Sequence, residues 1–163
     1  MMRRVQFLGS LASAIAFAPA LARAAASPRY LVTHTDAQWK DLLGDDRYAI
    51  LRENGTEPAF SSPLITEHRA GIYQCAGCNQ TLFTSAMKYD SGDGWPSFTS
   101  VLPNTTLTRA DFDLPGEERT EVHCKRCGGH LGHIFDDGPP PKHLRYCIDG
   151  LALNFVPGST RAR

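Results

Sequence analysis

The sequence predicts a mainly β protein, one compact antiparallel β domain with short helices at its N-terminal entrance. Three observations carry that expectation. From Gly55 onward, Gly, Pro, Asn and Asp punctuate the chain every few residues and separate short β-rich runs. Ahead of that point, two segments carry helix caps instead. Two Cys-x-x-Cys turns, Cys75/Cys78 and Cys124/Cys127, offer four thiolates that could close one tetrahedral metal shell and tie distant parts of the chain together.

The first element, residues 1–26, reads as a secretory signal peptide rather than as part of the fold. Met1-Met2-Arg3-Arg4 is a basic start, residues 5–21 are Ala-rich and apolar, and Ala22-Arg23-Ala24 and Ala24-Ala25-Ala26 offer small-x-small cleavage sites. An uncleaved anchor is the alternative, although the stretch is short and weakly apolar for a span. Arg3-Arg4 ahead of Phe7-Leu8 is compatible with twin-arginine export, which would let the domain fold and load metal before it meets an oxidising compartment. The mature protein is therefore expected in the periplasm or outside the cell, with no stable membrane association. Cleavage after Ala26 removes 26 of the 163 residues and leaves 137, enough for one domain with one core and expected as a monomer. Lys+Arg falls from 17 to 14 against 17 Asp+Glu once Arg3, Arg4 and Arg23 are gone, so the mature charge is −3. No basic stripe advertises nucleic acid.

Thr35-Asp36-Ala37-Gln38 is a capping box, so residues 36–43 form a short helix carrying Trp39, Leu42 and Leu43. Asp45 or Asp46 caps a second helix through Tyr48, Ile50 and Leu51, and Asn54-Gly55 ends it. Strands are expected at residues 71–74, 105–108, 121–123 and 151–156. Each Cys pair sits in a Gly- or Asn-bearing turn whose residues tolerate positive φ and let backbone N–H groups face the sulfurs. The pairs predict one structural Zn²⁺ on Cys75, Cys78, Cys124 and Cys127, although the 45 residues between Cys78 and Cys124 exceed the usual ribbon spacing. Two local disulfides, or a thioredoxin-like redox pair, are the alternatives.

Cys147 is the cysteine left over. Alternation along residues 144–156 puts Arg145, Cys147, Asp149, Leu151, Leu153 and Phe155 on one face of a single strand, with chemistry at its start and core anchors at its end. A guanidinium two residues away favours the thiolate, the form that attacks. An inert buried cysteine is the plainer reading.

Two more segments carry more polar and aromatic chemistry than a loop needs: Tyr89-Asp-Ser-Gly-Asp-Gly-Trp95-Pro-Ser-Phe98 and His130-Leu-Gly-His133-Ile-Phe-Asp-Asp137-Gly-Pro. Together with Gly55-Thr-Glu-Pro58, the Cys pairs and Arg145-Tyr-Cys147, and in the same order, they closely resemble the methionine-R-sulfoxide reductase B family, also called SelR. The resemblance runs from the Trp39 helix to Phe155 and makes residues 27–163 a methionine-R-sulfoxide reductase domain. It implies a zinc-bearing β fold of the tent-like type. It also implies that Cys147 is the nucleophile that reduces the R epimer of methionine sulfoxide in peptides or proteins, through a Cys147 sulfenic acid. His130 and His133 would shape the site and protonate the departing oxygen, with Arg145 and Asp137 orienting them. Trp95, aided by Phe135, would hold the substrate's methyl group, and Asp149 would line the substrate site.

Plainer readings stand beside these. His130 and His133 follow Cys127 at a spacing that suits zinc, though four cysteines already fill the shell. Strict alternation would also place them on opposite faces, so a joint site needs a bend, at Gly132. Trp95 could fill the core, Asp137 could serve the Gly138-Pro139-Pro140-Pro141 turn, and Arg145 could pair on the surface.

Two positions depart from the family pattern. Asp93 stands where many members carry a resolving cysteine, and with four thiols on zinc none is left to trap the sulfenic acid. An external thiol, thioredoxin-like or of low molecular weight, is the expected reductant. Asp149 replaces a usual Asn, and an ionised Asp only accepts and opposes a thiolate, which bears on rate and pH optimum. A zinc β-module that binds a peptide or guides metal is the competing class, and a general thiol–disulfide oxidoreductase lacks a second thiol beside Cys147.

Overall fold

Thr35 opens the first helix as its capping box requires. Its Oγ1 accepts from the Gln38 N–H at 3.3 Å, and Gln38 Oε1 accepts from the Thr35 N–H at 2.9 Å. The helix α1 (Asp36–Glu53) is interrupted at Gly44, whose φ of 72° and ψ of 167° are non-helical, so two short helices meet end to end as the sequence predicts. Asn54 closes the second in the left-handed conformation. The computed structural model describes residues 29–158, so the signal-peptide reading of residues 1–26 lies outside the described residues. No helix among the described residues is long and apolar enough to cross a membrane.

The described residues then form β1 (Gly71–Cys75), β2 (Thr81–Thr84), β3 (Lys88–Tyr89), β4 (Ser97–Phe98), β5 (Thr106–Asp111), β6 (Arg119–Cys124), β7 (His130–Phe135), β8 (Arg145–Ile148) and β9 (Leu153–Pro157). The strands pair antiparallel in two sheets, ordered β2-β1-β9 and β3-β4-β8-β7-β6-β5. The architecture is mainly antiparallel β, as the punctuation of the sequence predicts. Strands β3 and β4 are two residues each, too short for any alternation to announce them.

The core lies between the sheets. Tyr73 on β1 and Phe83 on β2 meet Phe98 on β4, and all three are fully buried. The Phe83 and Phe98 rings stack at 4.1 Å, and Tyr73 meets Phe98 edge-on at 5.0 Å. Each such aromatic contributes roughly 3 kcal/mol through burial. Register then divides the larger sheet, because side chains opposite one another in neighbouring strands share a face. Phe98, Tyr146 and Ile134 make one row, and Val122, Gly132 and Ile148 the next; these look toward the core. The alternate residues form the other face.

The single strand expected over residues 144–156 is instead two strands in different sheets. The chain leaves β8 at Asp149, makes a 3-10 turn (Gly150–Ala152), and enters β9 beside β1. The cause lies far away in sequence. Both carboxylate oxygens of the buried Glu57 accept backbone N–H groups of that turn, from Gly150 at 2.6 Å and from Leu151 at 2.9 Å. The chemical and anchoring halves of the run therefore sit on separate sheets.

Candidate active site and metal cluster

The two Cys-x-x-Cys turns fold alike. Asn79 N–H donates to the Cys75 carbonyl and Gly128 N–H to the Cys124 carbonyl, each at 2.8 Å, and Asn79 and Gly128 both adopt positive φ. The turns end β1 and β6, and they bring four sulfurs within 4.8 Å of one another. Cys75 and Cys127 lie 3.7 Å apart and Cys78 and Cys124 3.6 Å, with no disulfide among them. A tetrahedral ion with metal–sulfur bonds of about 2.3 Å has edges of about 3.8 Å, so the four thiols fit one metal ion. Such a site clamps the end of one sheet to the end of the other.

Cys147 stands apart from that cluster, on the face of the larger sheet turned from the core. Register places it opposite Ser97 of β4 on one side and His133 of β7 on the other, and continues the row to Glu121 and Arg109. The adjacent row holds Asp111 paired with Arg119, and Phe135 paired with Arg145. His130 joins this face through a bulge. Val122 faces Gly132 whereas His123 faces His130, so Leu131 is an extra residue in β7. Gly132 has φ of 145°, and a Cβ there would fall 2.1 Å from the Cys147 carbonyl oxygen, so only glycine lets β7 and β8 approach at this bend. The His130 and His133 ring centroids are 5.3 Å apart.

Arg145 does favour the Cys147 thiolate, as the sequence suggests, but burial outweighs it. Burial pushes the Cys147 thiol up to about 11, and the opposing charge of Arg145 recovers only part of that shift. Arg145 is largely spent elsewhere. Its Nε and Nη2 donate to the two Asp137 oxygens, each at 2.7 Å, its Nη1 lies 2.6 Å from Asp93 Oδ2, and its guanidinium covers the Phe135 ring at 4.4 Å. That fork holds Asp137 below its ordinary carboxyl range. His133 Nε2 lies 2.7 Å from Asp111 Oδ2, which also takes Arg119 Nη2 at 2.6 Å. The Asp113 backbone N–H, with His133 and Arg119, brings Asp111 down to about 2, while burial lowers His133 despite that partner. With Asp111 ionised, Nε2 of His133 carries the hydrogen and Nδ1 is left as the ring's acceptor.

Trp95 is half-buried, and its Nε1–H donates to the Glu57 carbonyl at 3.0 Å. Asp149 is not open to the site surface. It is 3 % exposed, and its Oδ1 accepts from the Glu57 N–H at 2.9 Å. Glu57 thus joins Trp95, Asp149 and the turn after β8 in one buried node. Glu57→Gln replaces one acceptor with an amide that meets a backbone donor, and should destabilise the fold by about 2 kcal/mol, the cost of a buried unpaired group. Urea denaturation at neutral pH reads this, and an unchanged midpoint would remove the node from the stability of the fold.

The structure thus brings Cys147, His130, His133, Arg145, Asp137 and Phe135 to one face and holds Trp95 at the lead into β4. Sequence reasoning did not single out Glu57, Asp111, Glu121 or Arg119. Glu57 lies within the Gly55-Thr-Glu-Pro58 segment, but nothing local marks it as buried. The other three become visible only once strand register is known.

The SelR domain family matches residues 43–157 of the chain. A protein named peptide methionine sulfoxide reductase MsrB from Thiobacillus denitrificans is 49% identical over 123 residues, covering 76% of this chain and 93% of that protein. Its namesakes from Agrobacterium fabrum and Leptospira interrogans are 45% and 46% identical over 126 residues, covering 77% of this chain and 93% and 96% of theirs.

Proposed function

The chain belongs to the SelR domain family, and on that premise we propose that it is a peptide-methionine (R)-S-oxide reductase with Cys147 as its nucleophile. One observation carries the assignment of the nucleophile: Cys147 lies directly opposite His133 on a sheet face that also presents Arg145 and His130, outside the four-cysteine cluster. The sulfur of Cys147 attacks the sulfoxide sulfur, the S–O bond breaks, and the oxygen passes to cysteine as sulfenic acid, leaving the thioether. Thiol plus sulfoxide already contains every atom of sulfenic acid plus thioether. A thiol pushed up to about 11 arrives protonated, so it brings the proton the departing oxygen needs. His133, opposite Cys147 in register, is the group we assign to take that proton from sulfur and return it to oxygen, with Asp111 fixing its tautomer. The Trp95 indole, tethered to the Glu57 carbonyl, and the Phe135 ring, beneath Arg145, are the aromatic groups we assign to the substrate's methyl group.

The donor set of the cluster supports Zn²⁺ on Cys75, Cys78, Cys124 and Cys127 as one structural ion. With those thiols committed, Cys147 has no resolving partner, since the chain has five cysteines. Asp93 holds Arg145 instead. An external thiol therefore attacks the sulfenic acid, releasing water and forming a mixed disulfide that a second thiol reduces. The reading of residues 1–26 places this repair of oxidised proteins in the periplasm or outside the cell, by a monomeric mature domain of residues 27–163.

Purified protein given the two epimers of a dabsylated methionine sulfoxide should reduce the R form and leave the S form. No R-reduction would overturn the reading. After one turnover without reductant, mass spectrometry should find a dimedone adduct on Cys147 and no intramolecular disulfide. A disulfide from Cys147 to a cluster cysteine, with metal release, would instead make that cysteine the resolving thiol. Asp93→Cys should then shift the wild-type adduct to a disulfide with Cys147 wherever the two Cβ atoms reach about 4 Å.

A further inference from the structure

Beside the loop that carries Asp93 and Trp95, a second turn presents a side chain that neither the core nor the reduction step uses. Pro58, Ala59, Phe60 and Ser61 form a β-turn closed by the Ser61 N–H, which donates to the Pro58 carbonyl at 3.2 Å. Its third residue, Phe60, has φ of 64°, whereas Ala59 before it does not adopt positive φ. A turn of that shape needs a left-handed residue at this position, and glycine or asparagine takes it with little strain. A bulky residue there is strained, because its Cβ crowds the backbone.

That strain serves no burial, since Phe60 is 71 % exposed. Leu31, Leu42 and Phe112 also stand out from the surface, and single exposed hydrophobics are ordinary. Phe60 differs from them in its backbone. The other non-glycine residues of positive φ among the described residues are Asn54, Asn79, Asn104 and His143, all of them polar.

The surroundings hold this turn and tie it to the candidate active site. The Phe60 N–H donates to the Gly94 carbonyl at 2.8 Å. Gly94 itself has φ of 93°, and a Cβ there would lie 2.9 Å from Ala59 Cβ, Phe60 Cδ2 and Phe60 N, so the Phe60 ring rests against bare backbone. On either side of Gly94 stand Asp93, whose Oδ2 is 2.6 Å from Arg145 Nη1, and Trp95, whose indole N–H reaches the Glu57 carbonyl at 3.0 Å. Residues 57–60 thus grip the Trp95 segment twice, at the indole and at the backbone before it, and leave most of the Phe60 side chain in water.

We propose that Phe60 is a subsite for an apolar side chain flanking the methionine sulfoxide in a peptide substrate, and that it continues the aromatic surface begun by Trp95. The inference rests on the reductase reading for its substrate and adds a preference for the sequence around the oxidised methionine. An extended peptide advances about 3.4 Å per residue, so with the methyl group on Trp95 the residues one or two positions away come within reach of the neighbouring turn. A leucine there removes apolar area from water on both partners, and a serine removes little. The subsite also accounts for a bulky residue in a glycine position, because backbone strain held by surrounding contacts collects at ligand-binding positions.

Two blocked peptides with methionine-R-sulfoxide at the centre test this, one flanked by leucines and one by serines. Reduction is followed in single turnovers without reductant, so that no reductant surface contributes. Wild type should favour the leucine peptide about tenfold in the second-order rate constant, and Phe60→Ala and Phe60→Gly should each remove that preference. The loss should appear in the half-saturating peptide concentration rather than in the saturated rate. Phe60→Gly should melt no lower than wild type, because glycine accepts the left-handed turn, and Phe60→Tyr, which keeps the ring, should retain the preference. Equal ratios in wild type and the two truncated variants, or losses shared equally by both peptides, would overturn the proposal. A defect seen only when thioredoxin drives turnover would also overturn it and make Phe60 a reductant contact. Binding of the same peptides to Cys147→Ser, followed by tryptophan fluorescence, needs no chemistry, and adding Phe60→Ala there should weaken the leucine peptide about tenfold relative to the serine peptide. Preference in binding without any reduction by wild type would defeat the reductase reading alone, and reduction without preference would defeat the subsite alone.

Discussion

Cys147→Ser is expected to abolish reduction of the R-sulfoxide, by on the order of 10⁴-fold or more, while leaving metal content and fold intact. A serine hydroxyl is a far weaker acid than a thiol, and this site already holds the thiol up to about 11. The oxygen also lacks the soft lone pairs with which sulfur attacks sulfur. Little in the fold depends on the residue, because Cys147 lies outside the four-cysteine cluster and the backbone pairing of β8 with β4 and β7 does not need its side chain. Activity against both epimers, zinc stoichiometry and near-ultraviolet circular dichroism decide the matter together. Retained turnover would move the nucleophile elsewhere, and lost dichroism would make Cys147 a packing residue.

How far the sequence reached depended on whether the determining interaction was local. The capping box of Thr35 and Gln38 and the αL close at Asn54 involve neighbours in sequence, so the two short helices were legible together with the break at Gly44. The Cys-x-x-Cys turns were legible for the same reason, and their duplication announced one cluster across 45 intervening residues. The bend that lets His130 and His133 share a face was signalled by Gly132 and by the conflict with strict alternation.

What stayed hidden was set by residues far apart. Alternation over residues 144–156 is real, yet the strand breaks, because Glu57, more than ninety positions away, takes the N–H groups of Gly150 and Leu151. The charge state of Cys147 was likewise beyond a reading of neighbours. Arg145 is two residues off, as the sequence says, but Asp93 and Asp137 claim most of its donors, and burial then decides the balance. Asp149, which the resemblance puts in the substrate site, is buried, with the Glu57 N–H donating to its Oδ1 and His130 Nε2 3.8 Å from its Oδ2.

Removing the metal is the other change with a large expected effect. Cys124→Ser, or a strong chelator on the wild type, should release the ion and unfold the domain, because the cluster is a clamp between the two sheets. Apart from it, the sheets are joined by the shared apolar core, in which Tyr73, Phe83 and Phe98 pack with Leu82, Val122 and Ile148, and by the chain passing from β8 to β9. A structural zinc site contributes about 10–16 kcal/mol of apparent binding free energy, whereas a domain of this size has about 5–15 kcal/mol of net stability. The first range overlaps most of the second, so losing the metal is expected to remove most or all of the net stability. Replacing the ligand also leaves a hydroxyl and three thiols crowded at a buried strand end, which adds to the loss. Thermal unfolding and zinc analysis of Cys124→Ser, with Cys78→Ser as a second ligand variant, provide the measurement. Were either variant to keep the wild-type melting temperature after its metal is gone, the aromatic core would be the real tie between the sheets and the clamp would be dispensable.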